Sequence, residues 1–134
     1  MDNKINILVA DDDSTDRKFL IMDLKEHFNN KKIEVEIHPA ENGEIALQII
    51  NSIKERLSLV ITDINMPYAD GNEVAKCAIE NNIPVIIVSA NLRALNPDIA
   101  KQCAAKFDVT ANEERLMNTV DNVLKINQNF LTTQ

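Results

Sequence analysis

Residues 59–74 read LVITDINMPYADGNEV. The apolar run Leu57–Ile61 has the length of a strand, and it gives way to Thr62 and Asp63. Met66-Pro67 and Asp70-Gly71 then mark a turn, in which Pro67 stiffens the backbone and Gly71 permits dihedrals closed to other residues. From Asn72 to about Asn81, Val74, Ala78 and Ile79 suggest a helix. The stretch therefore reads as a buried strand, an acidic turn and a helix.

The same unit recurs along the chain. Ile5–Ala10 and Pro84–Val88 are further apolar runs, Ile33–Ile37 alternates like an edge strand, and Lys106–Thr110 is a weaker fifth strand. Between them, Leu20, Leu24 and Phe28 repeat at intervals of four behind Ser14, a residue suited to cap a helix. Ala46, Ile49, Ile50 and Ile53 form a second stripe from near Asn42 and Gly43. Asn96-Pro97 opens a fourth helix, expected to reach about Ala104. Asn112 precedes a fifth, with Leu116, Val120, Val123 and Leu124 on one face. Five alternations with short connections predict an α/β fold, a three-layer (βα)5 doubly wound five-stranded parallel sheet. Ligands of such sheets bind beyond the carboxyl ends of the strands, where the strand order reverses.

The chain has 134 residues, which predicts a single domain over 1–134, a core over about 4–126, a frayed tail at 129–134 and no output domain. With 21 Asp and Glu against 14 Lys and Arg, the net charge is −7, which argues against nucleic acid and anionic membrane as partners. Two cysteines make no disulfide framework, and two glycines cannot build a glycine-rich nucleotide cradle. The first apolar run is too short for a signal peptide or membrane span, so a cytoplasmic setting is expected. Cys77 and Cys103 read as small core fillers, and Met22, Met66 and Met117 as packing residues. His27 and His38 read as surface or strand-edge residues.

The chemistry lies at the strand ends. Asp11, Asp12 and Asp13 follow the first strand, Asp63 closes the third, and Ser89 follows the fourth. Carboxylates that meet at one sheet edge repel one another unless a cation shares them. Oxygen ligands with room for water and a phosphate suit Mg2+. A hydroxyl at Ser89 could donate to an oxygen of the same phosphate.

The stretches LVADDDSTDRKFL (8–20), LVITDINMPYADGNEV (59–74) and VIIVSANLRAL (85–95) resemble the receiver domain of bacterial response regulators. The resemblance runs from about Lys4 to about Ile126 and implies the flavodoxin/CheY-like form of the five-stranded sheet. It implies a stand-alone receiver in two-component phosphorelay signalling, a switch rather than an enzyme. Asp63 is then the phosphoacceptor for a sensor histidine kinase or phosphotransfer protein. Asp12 is a direct Mg2+ ligand, Asp11 acts largely through water, and Asn65 offers its backbone carbonyl to the metal. Ser89 is the switch hydroxyl and Phe107 the switch aromatic, while Asn65 and Asn91 stand at positions that tune dephosphorylation. The surface of helix four, strand five and helix five, Asn91–Ile126, is the expected contact for an output protein or a homodimer mate.

One position departs from the pattern. Aligned on Phe107, the family's strand-five lysine and the proline after it become Thr110 and Ala111. The departure motivates an alternative, an atypical pseudo-receiver that works as a phosphorylation-independent interaction module. A further reading takes Asp11, Asp13 and Thr15 as the D-x-D-x-T of a haloacid-dehalogenase-type phosphatase, with Asp11 as nucleophile and Asp13 as general acid. That reading leaves Asp63, Met66, Pro67 and Gly71 without a role.

Overall fold

The computed structural model describes residues 4–126. Five strands, β1 (Ile5–Ala10), β2 (Val35–Ala40), β3 (Leu59–Thr62), β4 (Val85–Ser89) and β5 (Ala105–Asp108), alternate with five helices. These are α1 (Ser14–Asn30), α2 (Gly43–Ile53), α3 (Gly71–Glu80), α4 (Pro97–Gln102) and α5 (Glu113–Val123), with a 3-10 turn at Leu92–Ala94 before α4. The strands form one parallel sheet in the order β2-β1-β3-β4-β5. The α/β architecture expected of the alternating pattern is the one found.

The sheet is covered on both faces because successive strand residues point to opposite sides. Ile7, Val9, Leu59, Ile61 and Ile86 pack with Leu24 and Phe28 of α1 and with Leu116, Met117 and Val120 of α5. Leu8, Ala10, Val60, Val85 and Ile87 pack with Ala46 and Ile50 of α2 and with Val74, Ala75 and Ala78 of α3. Between α1 and α5, Asp121 is nearly buried and pairs with His27 of α1 and with Lys31 just beyond its end. His27 Nε2 lies 2.8 Å from its Oδ1, and Lys31 Nζ 3.3 Å from its Oδ2. His27 is thus half-buried and paired, while His38 keeps to the edge strand, 3.0 Å from Asn6 Oδ1.

Several boundaries fall away from their expected places, each for a local reason. Asp13, and not Ser14, caps α1: its carboxylate accepts the Asp16 N–H at 2.9 Å, and Ser14 is the first helical residue. Strand β2 begins at Val35, because the Ile33 N–H donates to the Phe28 carbonyl and closes α1, with Lys32 at φ 59°. It continues through Pro39, which an edge strand tolerates because a ladder hydrogen bond is dispensable there. The Leu57 N–H still donates to Ile53, so β3 starts two residues later than the apolar run. Pro84 has no N–H to give, and β4 runs instead from Val85 to Ser89. Helix α4 stops at Gln102, because the Ala104 N–H turns to the Val85 carbonyl to start β5. Among the methionines, Met66 and Met117 are buried, but Met22 is 61% exposed on α1 and packs no core. Cys77 and Cys103 are half-buried at the margin of the α2–α3–α4 face rather than inside it. The expected tail at 129–134 lies outside the described residues.

Candidate functional site

The strand order reverses between β1 and β3. The chain leaves β1 to place β2 on one side, then returns to build β3, β4 and β5 on the other. Two adjacent strands therefore end at this point with their crossover helices diverging, which leaves a crevice at the carboxyl edge. Asp11 and Asp12 follow β1 there, and Asp63 follows β3. The backbone fastens each end to its neighbour: the Asp63 N–H donates to Ala10 of β1 at 2.9 Å, and the Asp11 N–H to Ala40 of β2 at 3.0 Å.

Asp11, Asp12 and Asp63 each present a carboxylate oxygen within 4.8 Å of the others. Asp11 and Asp63 are half-buried and Asp12 is exposed. Burial pushes the Asp11 carboxyl up to about 6, the Asp13 N–H opposing at 2.9 Å and the charges of Asp63, Asp16 and Asp12 adding to the rise. Such a cluster is held together against its own repulsion by the fold, and a cation placed among its oxygens relieves that repulsion. Hard, closely grouped oxygens at a partly open edge are the donor chemistry of Mg2+, so the residues fit that ion.

Asp63 is aimed by its neighbours. The Ile64 N–H donates to its Oδ1 at 2.6 Å, and the Thr62 hydroxyl to its carbonyl at 2.8 Å. The turn that follows is closed by the Gly71 N–H on the Ile64 carbonyl at 2.7 Å. No glycine has a positive φ, so Gly71 is needed for closeness rather than for dihedral freedom. A Cβ there would run into the carbonyl of Asp63 and the Cα of Ile64. Gly43 does the same service from α2, beneath the carbonyl of Ala69. Neither glycine's contact is visible in the sequence. Helix α3 then starts with a capping box, Asp70 accepting from the Glu73 N–H and Glu73 reaching back to the Asp70 N–H. The D-x-x-E spacing carried that signal, and the sequence reading passed over it.

Ser89 is fully buried at the end of β4, and its Oγ accepts the Asn91 N–H at 3.1 Å. Thr62 pairs with Ile87, so Asp63 and Ser89 leave neighbouring strands at the same edge. Asn65 and Asn91 are exposed on the two loops beyond. The loops are bridged by one side chain that the sequence reading missed. Asn72 donates its Nδ2–H to Ala94 at 2.9 Å and accepts the Asn96 N–H at 2.7 Å, which ties the start of α3 to the approach to α4. Its partners lie 22 and 24 residues away, and no local pattern announces them.

The far side of the edge differs from expectation. Strand β5 ends at Asp108, not Thr110. The Asp108 carboxylate accepts both the N–H and the hydroxyl of Thr110, at 2.9 and 2.8 Å, which folds the chain into a turn before α5. Those two hydrogen bonds hold the Asp108 carboxyl below its ordinary value. Thr110 is exposed and committed to this turn. Phe107 is 7% exposed among Leu116 and Val120, with the Arg115 guanidinium 5.7 Å from its ring centroid. Asp13 is taken by its capping duty and stands outside the three-carboxylate group, which leaves the phosphatase reading without its general acid.

The response regulator receiver domain matches residues 7–110 of this chain. Among curated proteins, the chain is similar to the 3',5'-cyclic-nucleotide phosphodiesterase regA of Dictyostelium discoideum. The two are 39% identical over 93 residues, which are 65% of this chain and 11% of that much longer protein. It is also similar to the response regulator receiver protein CpdR of Brucella abortus, 34% identical over 95 residues, covering 69% of this chain and 72% of the relative. Among solved structures, the response regulator TrrA of Thermotoga maritima, in complex with Mg2+-BeF, superposes with a TM-score of 0.75 at 29% identity. That match covers 89% of this chain and 98% of TrrA. Among the described residues, no helix is long and apolar enough to cross a membrane.

Proposed function

The chain belongs to the response regulator receiver domain family, the receivers of two-component signalling, and from that membership we propose that it is a switch phosphorylated on Asp63. The donor is a phosphohistidine of a sensor kinase or phosphotransfer protein. The observation that carries the reading is the convergence of Asp11, Asp12 and Asp63 at the reversal point of the sheet, with the acceptor carboxylate held by Ile64.

Asp11, Asp12 and Asp63, with the backbone carbonyl of Asn65, would hold one Mg2+. When bound, that ion neutralises charge on the phosphoryl oxygens during transfer. The chain's own residues do the rest. A carboxylate oxygen of Asp63 attacks phosphorus in line, the P–N bond of the phosphohistidine breaks, and the departing imidazole takes up a proton. The Ile64 N–H fixes the direction of attack, so little reorganisation is left for the transition state. The Ser89 oxygen accepts the Asn91 N–H and can still donate its own hydrogen to a phosphoryl oxygen, which would draw the β4–α4 loop toward the site. Through Asn72 that movement would reach the start of α3, and through Val88 and Phe107, paired across β4 and β5, the face of α4, β5 and α5. Thr110 stands where the family places its lysine, so the phosphoryl group would lack one charge-assisted contact, worth roughly 1.5–3 kcal/mol.

The test is incubation with Mg2+ and a small acyl phosphate, followed by intact-mass measurement. A single phosphoryl adduct is expected, and it disappears in Asp63→Asn. No adduct, together with no Mg2+-dependent binding of beryllofluoride, would sink the proposal.

A further inference from the structure

A run of hydrogen bonds joins Asp63 to Ser89 through the loops behind them, and it passes through one side chain. The Ile64 N–H donates to Asp63 Oδ1 at 2.6 Å, and the Gly71 N–H to the Ile64 carbonyl at 2.7 Å. Asn72 comes next in the chain, and its side-chain amide crosses to the β4–α4 loop. There the Ala94 N–H donates to the Asn91 carbonyl at 3.1 Å, and the Asn91 N–H to Ser89 Oγ at 3.1 Å. The acceptor carboxylate and the buried hydroxyl are thus the two ends of one run, with Asn72 in its middle.

Asn72 takes hold of the loop at its anchor. The amide donates to the Ala94 carbonyl at 2.9 Å and accepts the Asn96 N–H at 2.7 Å, so it grips the peptide groups on both sides of Leu95. Leu95 is extended, and its side chain is buried in the α2–α3 face of the core. Beyond it, α4 has no buried residue, and Asn96 caps it by accepting the Asp98 and Ile99 N–H groups at 2.8 and 3.3 Å. The start of α4 is therefore placed by Leu95 and by Asn72. Only residues 90–94 separate Ser89 from this anchor, and three of them are wound into the 3-10 turn Leu92–Ala94. A tether that short carries a shift at Ser89 to the Ala94 carbonyl.

We propose that Asn72 is a positioning residue of the switch, a brake that holds the β4–α4 loop, and with it the Ser89 hydroxyl, in the resting place. This role rests on Asp63 being the phosphoacceptor, because the phosphoryl group is what draws the hydroxyl. As the loop moves toward that group, the Ala94 carbonyl and the Asn96 N–H leave the Asn72 amide. The movement then reaches α3 as the loss of that grip. A bond made at rest and lost on phosphorylation biases the equilibrium toward rest by its own worth, whereas one made equally in both forms biases nothing. The Asn72 side chain bonds to the loop and to neither Asp63 nor Ser89, so replacing it leaves the reacting atoms in place.

Fluorine NMR of beryllofluoride binding in the presence of Mg2+ tests this on the full chain, on Asn72→Ala and on Asn72→Asp. Asn72→Ala removes both bonds and is expected to bind beryllofluoride about tenfold more tightly. Asn72→Asp keeps an acceptor for the Asn96 N–H but has no N–H for Ala94, and should fall between. Mg2+ affinity without beryllofluoride should be the same in all three. Amide hydrogen exchange gives a second reading that needs no substitution. In the unsubstituted chain the Asn96 amide should exchange about tenfold faster once beryllofluoride is bound, while the Gly71 amide stays protected. A clip with a merely structural role would keep Asn96 equally protected in both forms. That result, or unchanged or weaker beryllofluoride binding by Asn72→Ala, overturns the brake and leaves Asp63 as phosphoacceptor intact. Absence of beryllofluoride binding by the unsubstituted chain overturns both.

Discussion

Asp63 and Thr110 stand beyond the ends of two strands of one sheet, and the chain around them is built by opposite means. On the Asp63 side, backbone does the holding. Strands β1 and β3 are almost wholly buried, the Asp63 and Asp11 amides are fastened to neighbouring strands, and two glycines let backbone approach backbone. Three carboxylates are kept close against their repulsion. On the Thr110 side, a single exposed carboxylate, Asp108, holds the turn through two hydrogen bonds to Thr110. The first half stores electrostatic strain that a ligand can release, and the second is relaxed. The carboxyl edge of the sheet thus has a rigid wall on one side and a soft turn on the other.

The comparison breaks most visibly at Gly71. Gly71→Ala should cost about 3 kcal/mol or more in urea unfolding, because the added methyl meets backbone that cannot retreat. Thr110→Ala should cost less than about 1 kcal/mol, and equal losses would erase the distinction. Next in size is Thr110→Lys. A lysine that escapes the turn should raise the yield or lifetime of the phosphoryl adduct about tenfold or more, measured by intact mass over time.

The two halves should also titrate with opposite sign. Asp11 binds its proton more tightly when folded than when unfolded, because its carboxyl is raised from 3.8 to about 6. Without a divalent cation the protein should therefore lose stability as pH rises across that interval. Excess Mg2+ or Asp11→Asn should flatten the loss. The Asp108 carboxyl is lowered, so its contribution is present above the ordinary carboxylate range and is lost as pH falls through it. Urea midpoints across pH, compared for Asp11→Asn and Asp108→Ala, separate the two slopes. The smallest effect is Asp108→Ala at neutral pH. It should leave the urea midpoint almost unchanged and move the Thr110 amide resonance while leaving Asp63 undisturbed.

These halves were not equally legible in the sequence. Runs such as residues 85–88 are unambiguous because a strand buried on both faces needs apolar residues at nearly every position, and the acids that end such runs have one edge to meet at. Asn42, Asn96 and Asn112 announce helix starts because capping is local chemistry. What escaped is what depends on distant backbone. The spacing of Gly71 reads as a turn, yet its reason is the carbonyl of Asp63 eight residues back. Pro39 looks like a strand breaker until β2 is seen at the sheet edge. Asp121 is one more acid in a surplus of seven until His27 and Lys31 are brought to it across 94 and 90 residues. Met22 reads as one more packing residue until its place on the outward side of α1 is seen.

Tyr68 sits in the loop between Asp63 and α3, 82% exposed at φ 72°. The chain has no tryptophan and no second tyrosine. Its ultraviolet emission therefore comes from one ring, five residues along the chain from the Asp63 carboxylate, and the protein carries a built-in optical gauge. Any event that reorganises that loop can be timed in a stopped-flow cuvette on the unlabelled chain, with no probe to be engineered.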